Sequence, residues 1–551
     1  MKEIRVTFPS GEVRNYPFGI KASVVAQALA PSEPPLAALL VNNEAAALDE
    51  RIIIDCAVEP LPVTDSRGAF IYRKSLCFLL SMAARELHPD RRLIAGMAIS
   101  NGFYHFFEDE ERPTQAELRA LESRMRALVE KDIPITHEWS GWADAARYFE
   151  DRKQLDTLLL LEHRNDARIP LNECDGYRDL FITPLVPSTG ILRTFELRPY
   201  HDGFLLRYPH KETPDRLEPF EDDPTLYAIA DEYRKRGKIH GVRSIGALNR
   251  LSTPQKMREF IRVAEALQNK KIAEIADRIA ERSDKVKVVL IAGPSSSGKT
   301  TTSKKLAVQL TVLGFRPVII ALDDYFVDRE RTPKDANGQY DFECLEALDV
   351  EYLNDQLVEL FAGREIELPT FDFKLGARKP SGKKLRLGPR DILVMEGIHG
   401  LNDRLTPRIP KEQKFKIYVS ALTQLNLDDH NRVSTTDNRL IRRMVRDWQF
   451  RGHSALDTLR MWPSVQRGER LHIFPFQNLA DAAFNSALDY ELGVLDVYAE
   501  PLLRTVKPVS PEYAEASRML AFLGNIAPIP THLVPRDSIL REFIGESEFK
   551  Y

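Results

Sequence analysis

Cysteine is scarce: there are four in 551 residues, Cys56, Cys77, Cys174 and Cys344, and no two form a CxxC pair. So scattered a set excludes a disulfide framework and points to a reducing compartment, so a cytoplasmic location is expected. Long apolar runs are missing as well. No window approaches the roughly 18 uninterrupted apolar residues of a membrane span. The opening MKEIRVTFPSGEVRNY lacks the apolar stretch of a secretory leader. Neither sign of charge dominates: 77 Lys+Arg face 81 Asp+Glu, a formal net charge of −4. That balance argues against a surface built throughout for nucleic acid, while leaving local basic patches open. There is no internal repeat and no low-complexity tract. What remains is ordinary for a globular chain, with 43% hydrophobic and 29% charged residues, and the length predicts roughly three to five domains.

The pattern along the chain predicts five segments. Residues 1–62 read as a small β-rich module, with alternating Ile4, Val6 and Phe8 ahead of a Pro9-Ser10-Gly11 turn. Residues 63–215 form a second unit. In it Leu118, Leu121, Met125 and Leu128 share one face of a helix opened by a Thr114–Glu117 capping box. Residues 216–284 read as a polar helical connector. Over 285–490 short β-branched runs alternate with helices: Val286–Ala292, Pro317–Leu322, Asp391–Met395, Phe415–Ser420 and Ala480–Asn485. Such alternation predicts an α/β parallel sheet flanked by helices. Residues 491–551 follow as a helix and an irregular tail.

The first of these strands runs into Gly293-Pro294-Ser295-Ser296-Ser297-Gly298-Lys299-Thr300-Thr301, a full GxxxxGK[ST] match with a helix behind it. The two glycines allow a tight turn whose successive N–H groups point at phosphate oxygens, and the helix N-terminus adds favourable dipole charge. Lys299 is expected to reach the β- and γ-phosphates and the Thr300 hydroxyl to ligate Mg²⁺, so ATP and Mg²⁺ are the expected cofactors. The second strand ends at Asp323-Asp324-Tyr325. Carboxylates beyond the carboxyl end of a parallel strand face the ligand crevice, where one can take the proton of an attacking hydroxyl. The third strand ends at Glu396-Gly397, placed to hold a metal ion. Arg439, Arg442, Arg443, Arg446 and Arg451 cluster beyond the fourth strand, a composition suited to a lid over a transferred phosphoryl group. Seven basic residues and no acid over 374–390 suit a solvated loop and a phosphate or RNA contact equally well.

The segments GPSSSGKTT at 293–301, ALDDYF at 321–326, QYDFE at 339–343, LPTFDF at 368–373, VMEGI at 394–398 and RLIRRMVRD at 439–447 resemble, in order and spacing, the uridine kinase/phosphoribulokinase family. The resemblance implies a P-loop NTPase-type kinase domain. Asp323 would then be the general base for a nucleoside 5′-hydroxyl. Asp324 and Tyr325 would lie on the substrate side, Glu343 would hold ribose hydroxyls and Phe371 would contact the base. Arg442, Arg446 and Arg451 would form the lid. One position departs from the pattern. No histidine follows Phe371-Asp372-Phe373, where relatives use one to read a pyrimidine, so the base is open and a non-nucleoside alcohol also fits.

The first half resembles the N-terminal region of threonyl-tRNA synthetase. Residues 1–62, with LLVNNE at 39–44, resemble its β-grasp TGS domain. ELHPD at 86–90, NGFYHFF at 101–107 and VPSTGILRTFEL at 186–197 resemble its α+β editing-type second domain. The positions that carry the two spaced histidines and the later Cys…His pair read Lys74, Phe78, Phe181 and Leu185, so neither a metal site nor deacylation is expected there. His88, His105, His137 and His163 remain, but form no HxxxH pattern. The combined arrangement looks like bacterial proteins that fuse these domains to a uridine kinase-like domain. The leading expectation is an ATP-dependent kinase acting on a small hydroxyl acceptor, a nucleoside first. The alternative is a regulatory nucleotide-hydrolysing protein whose first half contacts tRNA, the ribosome or a signalling nucleotide.

Overall fold

The computed structural model describes all residues except 1, 30–32, 252, 335–337, 339, 373, 374 and 551. Gln339, Phe373 and Lys374, which belong to sequence motifs noted above, therefore lie outside the described residues. The chain divides into two compact units. One comprises Met1–Ser252, Gln424–Val433 and Glu500–Pro528; the other comprises Thr253–Thr423, Ser434–Ala499 and Ile529–Tyr551.

In the first unit, Val13–Pro17, Glu3–Thr7, Cys56–Pro62, Leu36–Val41 and Glu44–Ala46 form a mixed five-stranded sheet in that order. Glu3–Thr7 runs parallel to Cys56–Pro62, and the short helix Ala22–Ala26 packs its Val25 into the same apolar cluster as Ile4, Val6 and Val58. This is the β-grasp-like module. It is followed by a four-stranded antiparallel sheet (Glu196–Tyr200, Gly203–Arg207, Gly102–Phe107, Leu93–Ile99) and a three-stranded one (Thr136–Gly141, Arg168–Cys174, Tyr177–Leu180). The helix Gln115–Glu130 opens on the expected capping box and buries Leu118, Leu121, Met125 and Leu128, because their spacing sets one apolar stripe toward the core.

The second unit is built on a parallel sheet of β1 (Val288–Ala292), β2 (Arg316–Ala321), β3 (Asp391–Glu396), β4 (Lys414–Ser420) and β5 (Ala482–Asn485). The strand order is 2-3-1-4-5. All five residues of β1 are buried, which is why it reads as a continuous apolar run rather than an alternating one. Helix α1 (Lys299–Val312) follows β1, and α2 (Thr435–Arg451) and α3 (Ala455–His472) lie between β4 and β5 in the chain.

Three segment boundaries differ from those expected of the sequence. The connector 216–284 divides at Thr253: Pro224–His240 and Ile245–Asn249 belong to the first unit, and Pro254–Ala280 to the second. The stretch after β4, Gln424–Val433, leaves its sheet and joins the first unit. There Asp429 accepts from Thr157 N at 3.0 Å and pairs with Arg92, and His430 Nδ1 lies 2.7 Å from Asp179. The C-terminal region 491–551 is shared: residues 500–528 join the first unit, and 529–551 return to the second. Long-range polar pairs of this kind carry no periodic signal in the sequence.

Candidate active site

The loop between β1 and α1 turns where its composition allows. Ser296 and Gly298 have φ of 58° and 79°, and glycine takes the left-handed region without steric cost. A Cβ on Gly293 would lie 1.8 Å from the Val419 carbonyl oxygen of β4, so only glycine lets the loop pass so close to the sheet. Helix α1 opens at Gly298, which has no side chain to cap it, and a helix N-terminus of this kind suits an anion. Lys299 Nζ donates to the carbonyls of Gly293 at 3.0 Å and Pro294 at 3.2 Å, so its ammonium is held over the loop. Pro294 and Ser297 are buried parts of the loop wall.

Two acids flank this loop. Thr300 Oγ1 donates to Glu396 Oε1 at 3.0 Å. Burial pushes the Glu396 carboxyl up to about 7, with Lys299 opposing and Asp323 adding to the rise. The Thr300 hydroxyl and the Glu396 carboxylate are hard oxygen donors suited to Mg²⁺, which typically takes one or two protein ligands and completes its shell with phosphate and water. Among the described residues no group of three or more His, Cys, Asp and Glu side chains could hold a metal, so any ion here would depend on oxygens from its ligand. Asp323 follows β2, with its side chain open to the cleft. The protein around that cleft still withdraws water and pushes its carboxyl above the ordinary range, Lys299 and Arg451 opposing and Asp324 adding to the rise.

Glu343 belongs to the same electrostatic group: burial and Glu469 raise its carboxyl, while Arg443 and Lys299 draw it down. Gly468 of α3 makes room for it, since a Cβ there would approach Glu343 Cβ to 2.8 Å. Phe371 is 9% exposed and packs on Phe326 with ring centroids 5.6 Å apart. Two neighbouring positions have other employment. Asp324 accepts from Phe371 N at 3.2 Å and Thr370 Oγ1 at 3.3 Å, tying β2 to the hairpin Ile366–Asp372/Ala377–Leu385. Tyr325, assigned above to the substrate side, is 1% exposed, and its hydroxyl donates to Gln356 Oε1 at 2.8 Å; it is a core residue, sealed by the apolar cluster beneath the sheet. Ala377–Leu385, from the basic stretch, is the second strand of that hairpin.

The arginine cluster also divides. Arg446, Arg443 and Arg451 gather on the buried Asp447, at 2.9, 3.2 and 3.5 Å. Arg451 lies close enough to Asp323 to lower its carboxyl. Arg442 does not join them. It is fully buried, pairs with Glu491 at 2.5 Å and donates to the Ser486 carbonyl at 2.9 Å, so the lid role expected for it is corrected to a structural one. A helix at 3.6 residues per turn sends Arg442 and Arg446 to one side, but the side facing the core ends before Arg446. Arg443 takes up the loop instead, donating to Ser295 Oγ at 2.8 Å. Glu469, held by Arg439, accepts from Ser295 N at 2.9 Å. Glu542 accepts from Thr301 N at 3.1 Å and Thr301 Oγ1 at 2.6 Å. Neither acid stands out in the sequence, being 174 and 241 residues from its partner.

In the first unit, Lys74, Phe78 and Leu185 line a small cavity with Cys77, Asp179 and His430. Phe181 packs on His137, ring centroids 4.5 Å apart.

Residues 288–491 match the model of the phosphoribulokinase/uridine kinase family. Curated relatives include the threonine–tRNA ligases of Francisella tularensis subsp. novicida (strain U112), 27% identical over 195 residues, and of Symbiobacterium thermophilum, 30% identical over 199. Each match covers 35% of this chain, which spans about a third of either relative, 31% and 30% respectively. Among solved structures, a possible uridine kinase from Bacillus stearothermophilus is 21% identical, over 38% of this chain and all of that one, with a TM-score of 0.22. A putative fructose transport system kinase from Silicibacter sp. TM1040 is 16% identical over 39% of this chain and 98% of that one, with a TM-score of 0.26. The chain thus combines a region that matches the phosphoribulokinase/uridine kinase family model with a region similar to threonine–tRNA ligases.

Proposed function

We propose that this protein transfers the γ-phosphoryl group of ATP to the hydroxyl of a small acceptor, with a nucleoside 5′-hydroxyl as the acceptor class. The observation that carries the reading is the placement of Asp323 beyond β2, in electrostatic reach of Lys299, Arg451 and Glu396. A water-positioning switch needs no carboxylate there; transfer to an alcohol needs a proton acceptor.

Asp323 accepts the proton of the attacking hydroxyl. Its raised affinity for protons suits this, since a carboxylate held above its ordinary range by desolvation takes up the proton more readily than an ordinary one. The N–H groups from Ser296 to Thr301 cradle phosphate oxygens, and Lys299 turns from the loop carbonyls to the β- and γ-phosphates. Thr300 and Glu396 would hold Mg²⁺, which would supply charge neutralisation to the nucleotide phosphates. Arg443, Arg446 and Arg451 are oriented by Asp447 to offset charge that grows during transfer. Glu343 and Phe371 form the acceptor side, a carboxylate for hydroxyls and an aromatic face.

The test is a panel of nucleosides, sugars and other small alcohols incubated with ATP and Mg²⁺, read by mass spectrometry of the products. A monophosphorylated acceptor supports the proposal. ATP hydrolysis without any phosphorylated acceptor favours the nucleotide switch instead.

A further inference from the structure

The N-terminus of α1 has an occupant from the chain itself. Glu542 lies in the short helix Arg541–Ile544 near the C-terminus. Its Oε2 accepts both the main-chain N–H and the hydroxyl of Thr301. Thr301 is the last donor of the phosphate-binding run. Lys299 serves the β- and γ-phosphates and Thr300 the metal, so the Thr301 donors fall at the α-phosphate end of a bound nucleotide. A carboxylate on two such donors reproduces the charge and hydrogen bonding of one phosphate oxygen.

The placement is built rather than incidental. Phe543 and Ile544, the last two residues of the short helix, are 0% and 3% exposed. Arg541 ties the segment together by donating to the carbonyls of Val534 at 2.7 Å and Thr531 at 3.0 Å. Ile539 presses on the loop: a Cβ on Gly298 would meet its methyl at 2.7 Å. The Arg442 guanidinium lies over the Phe543 ring, 4.9 Å from its centroid, and Gln449 Nε2 of α2 donates to the Ile544 carbonyl at 3.1 Å. Lys304, on the exposed side of α1, donates to the Lys550 carbonyl. The C-terminal segment is thus clamped against both the loop helix and the arginine helix.

We propose that the C-terminal segment is autoinhibitory, with the Glu542 carboxylate as an internal competitor that a nucleotide α-phosphate must displace. The proposal rests on reading the loop as a nucleotide site. A monoanion on two donors opposes the polyanionic nucleotide only modestly, so the device sets a threshold for nucleotide binding rather than a lock. Because the segment also packs on α2, its displacement frees one face of the helix that carries Arg443 and Arg446.

The experiment is calorimetric titration of ADP and of adenosine into the full chain, as wild type, Glu542→Ala and the isosteric Glu542→Gln, each with melting curves, and with Lys299→Ala as reference. Glu542→Ala is expected to tighten ADP by roughly three- to tenfold, the scale of one net hydrogen bond that must first be broken. Adenosine, which has no phosphate, should be unchanged. Hydrogen exchange over 536–548 should rise when ADP is added to wild type. Equal or weaker ADP affinity in both folded Glu542 variants, or exchange over 536–548 that ADP leaves unchanged, overturns the proposal. If that happens while wild type binds ADP and Lys299→Ala does not, autoinhibition fails and the nucleotide site stands. If neither wild type nor the variants bind ADP, the nucleotide site fails and the proposal falls with it.

Discussion

Arg442 Nη2 lies 2.5 Å from Glu491 Oε2, with the two side chains 0% and 1% exposed. The guanidinium also reaches the Ser296 carbonyl at 3.3 Å and both the hydroxyl and carbonyl of Ser486, whose own hydroxyl donates to the Ser297 carbonyl at 2.5 Å. One buried ion pair thereby holds the phosphate loop from below, with β5 and α2 as its supports. Removing one partner leaves an uncompensated charge in the core, which typically costs about 3–5 kcal/mol. Arg442→Ala should therefore melt well below wild type in calorimetry. A melting temperature unchanged to within a degree would remove the structural role.

Arg446 should respond in the opposite way. Its side chain is 14% exposed and shares the buried Asp447 with Arg443 and Arg451. Arg446→Ala should keep its melting temperature close to that of wild type but lose roughly 10²-fold or more in kcat at saturating ATP, as for the loss of a transition-state donor. Full turnover combined with weakened, salt-dependent RNA binding would favour the switch reading.

Lys299→Ala removes the cation now held on the Gly293 and Pro294 carbonyls. Phosphoryl transfer should disappear, with the far-ultraviolet circular dichroism intact, because the side chain is half-buried and supports no core contact. Wild-type turnover in this variant would end the kinase proposal.

Asp323→Asn keeps the size of the side chain but cannot take a proton. A loss of about 10²–10⁴ in kcat is expected, with nucleotide affinity nearly unchanged. If Asp324→Asn gives the larger loss, the base is the neighbouring residue, and the Asp324 contacts to Thr370 and Phe371 would then have to break for catalysis.

The first unit should lose stability at alkaline pH. Burial alone would push the His430 imidazole down, but Asp179 at 2.7 Å more than offsets this and holds it up to about 9. A raised histidine contributes stability that is fully present below the unfolded value of about 6.5 and is lost as pH rises toward 9, on the order of 2–3 kcal/mol for this pair. Urea titrations at pH 6, 7.5 and 9 should show the midpoint falling across that window in wild type, with a flatter dependence in His430→Gln. Equal slopes in the two proteins would assign the dependence to other groups.

Much of the second unit is legible in the chain order. The five β-branched runs became the five strands of one sheet within two residues of their ends, and the central strands β1 and β3 read most clearly because a strand buried on both faces must be apolar throughout. The loop glycines, Lys299, Thr300, Asp323 and Glu396 were equally readable, since local turn chemistry and strand ends position them without help from distant residues. The capping box at Thr114 and the stripe from Leu118 to Leu128 are local in the same sense. Tertiary packing alone decided the rest. Helical spacing puts Arg442 and Arg446 on one side of α2, but only the burial of Glu491 beneath that helix turns the first into a core ion pair and leaves the second partly exposed on Asp447. Tyr325 reads as part of the substrate segment until the core closes over it. Glu469 and Glu542 look like any surface acid, and Gln424–Val433 like any loop after a strand. Their roles depend on contacts between residues far apart in the chain, which hydrophobic period and turn chemistry do not encode, because those signals report only each residue's nearest neighbours along the backbone.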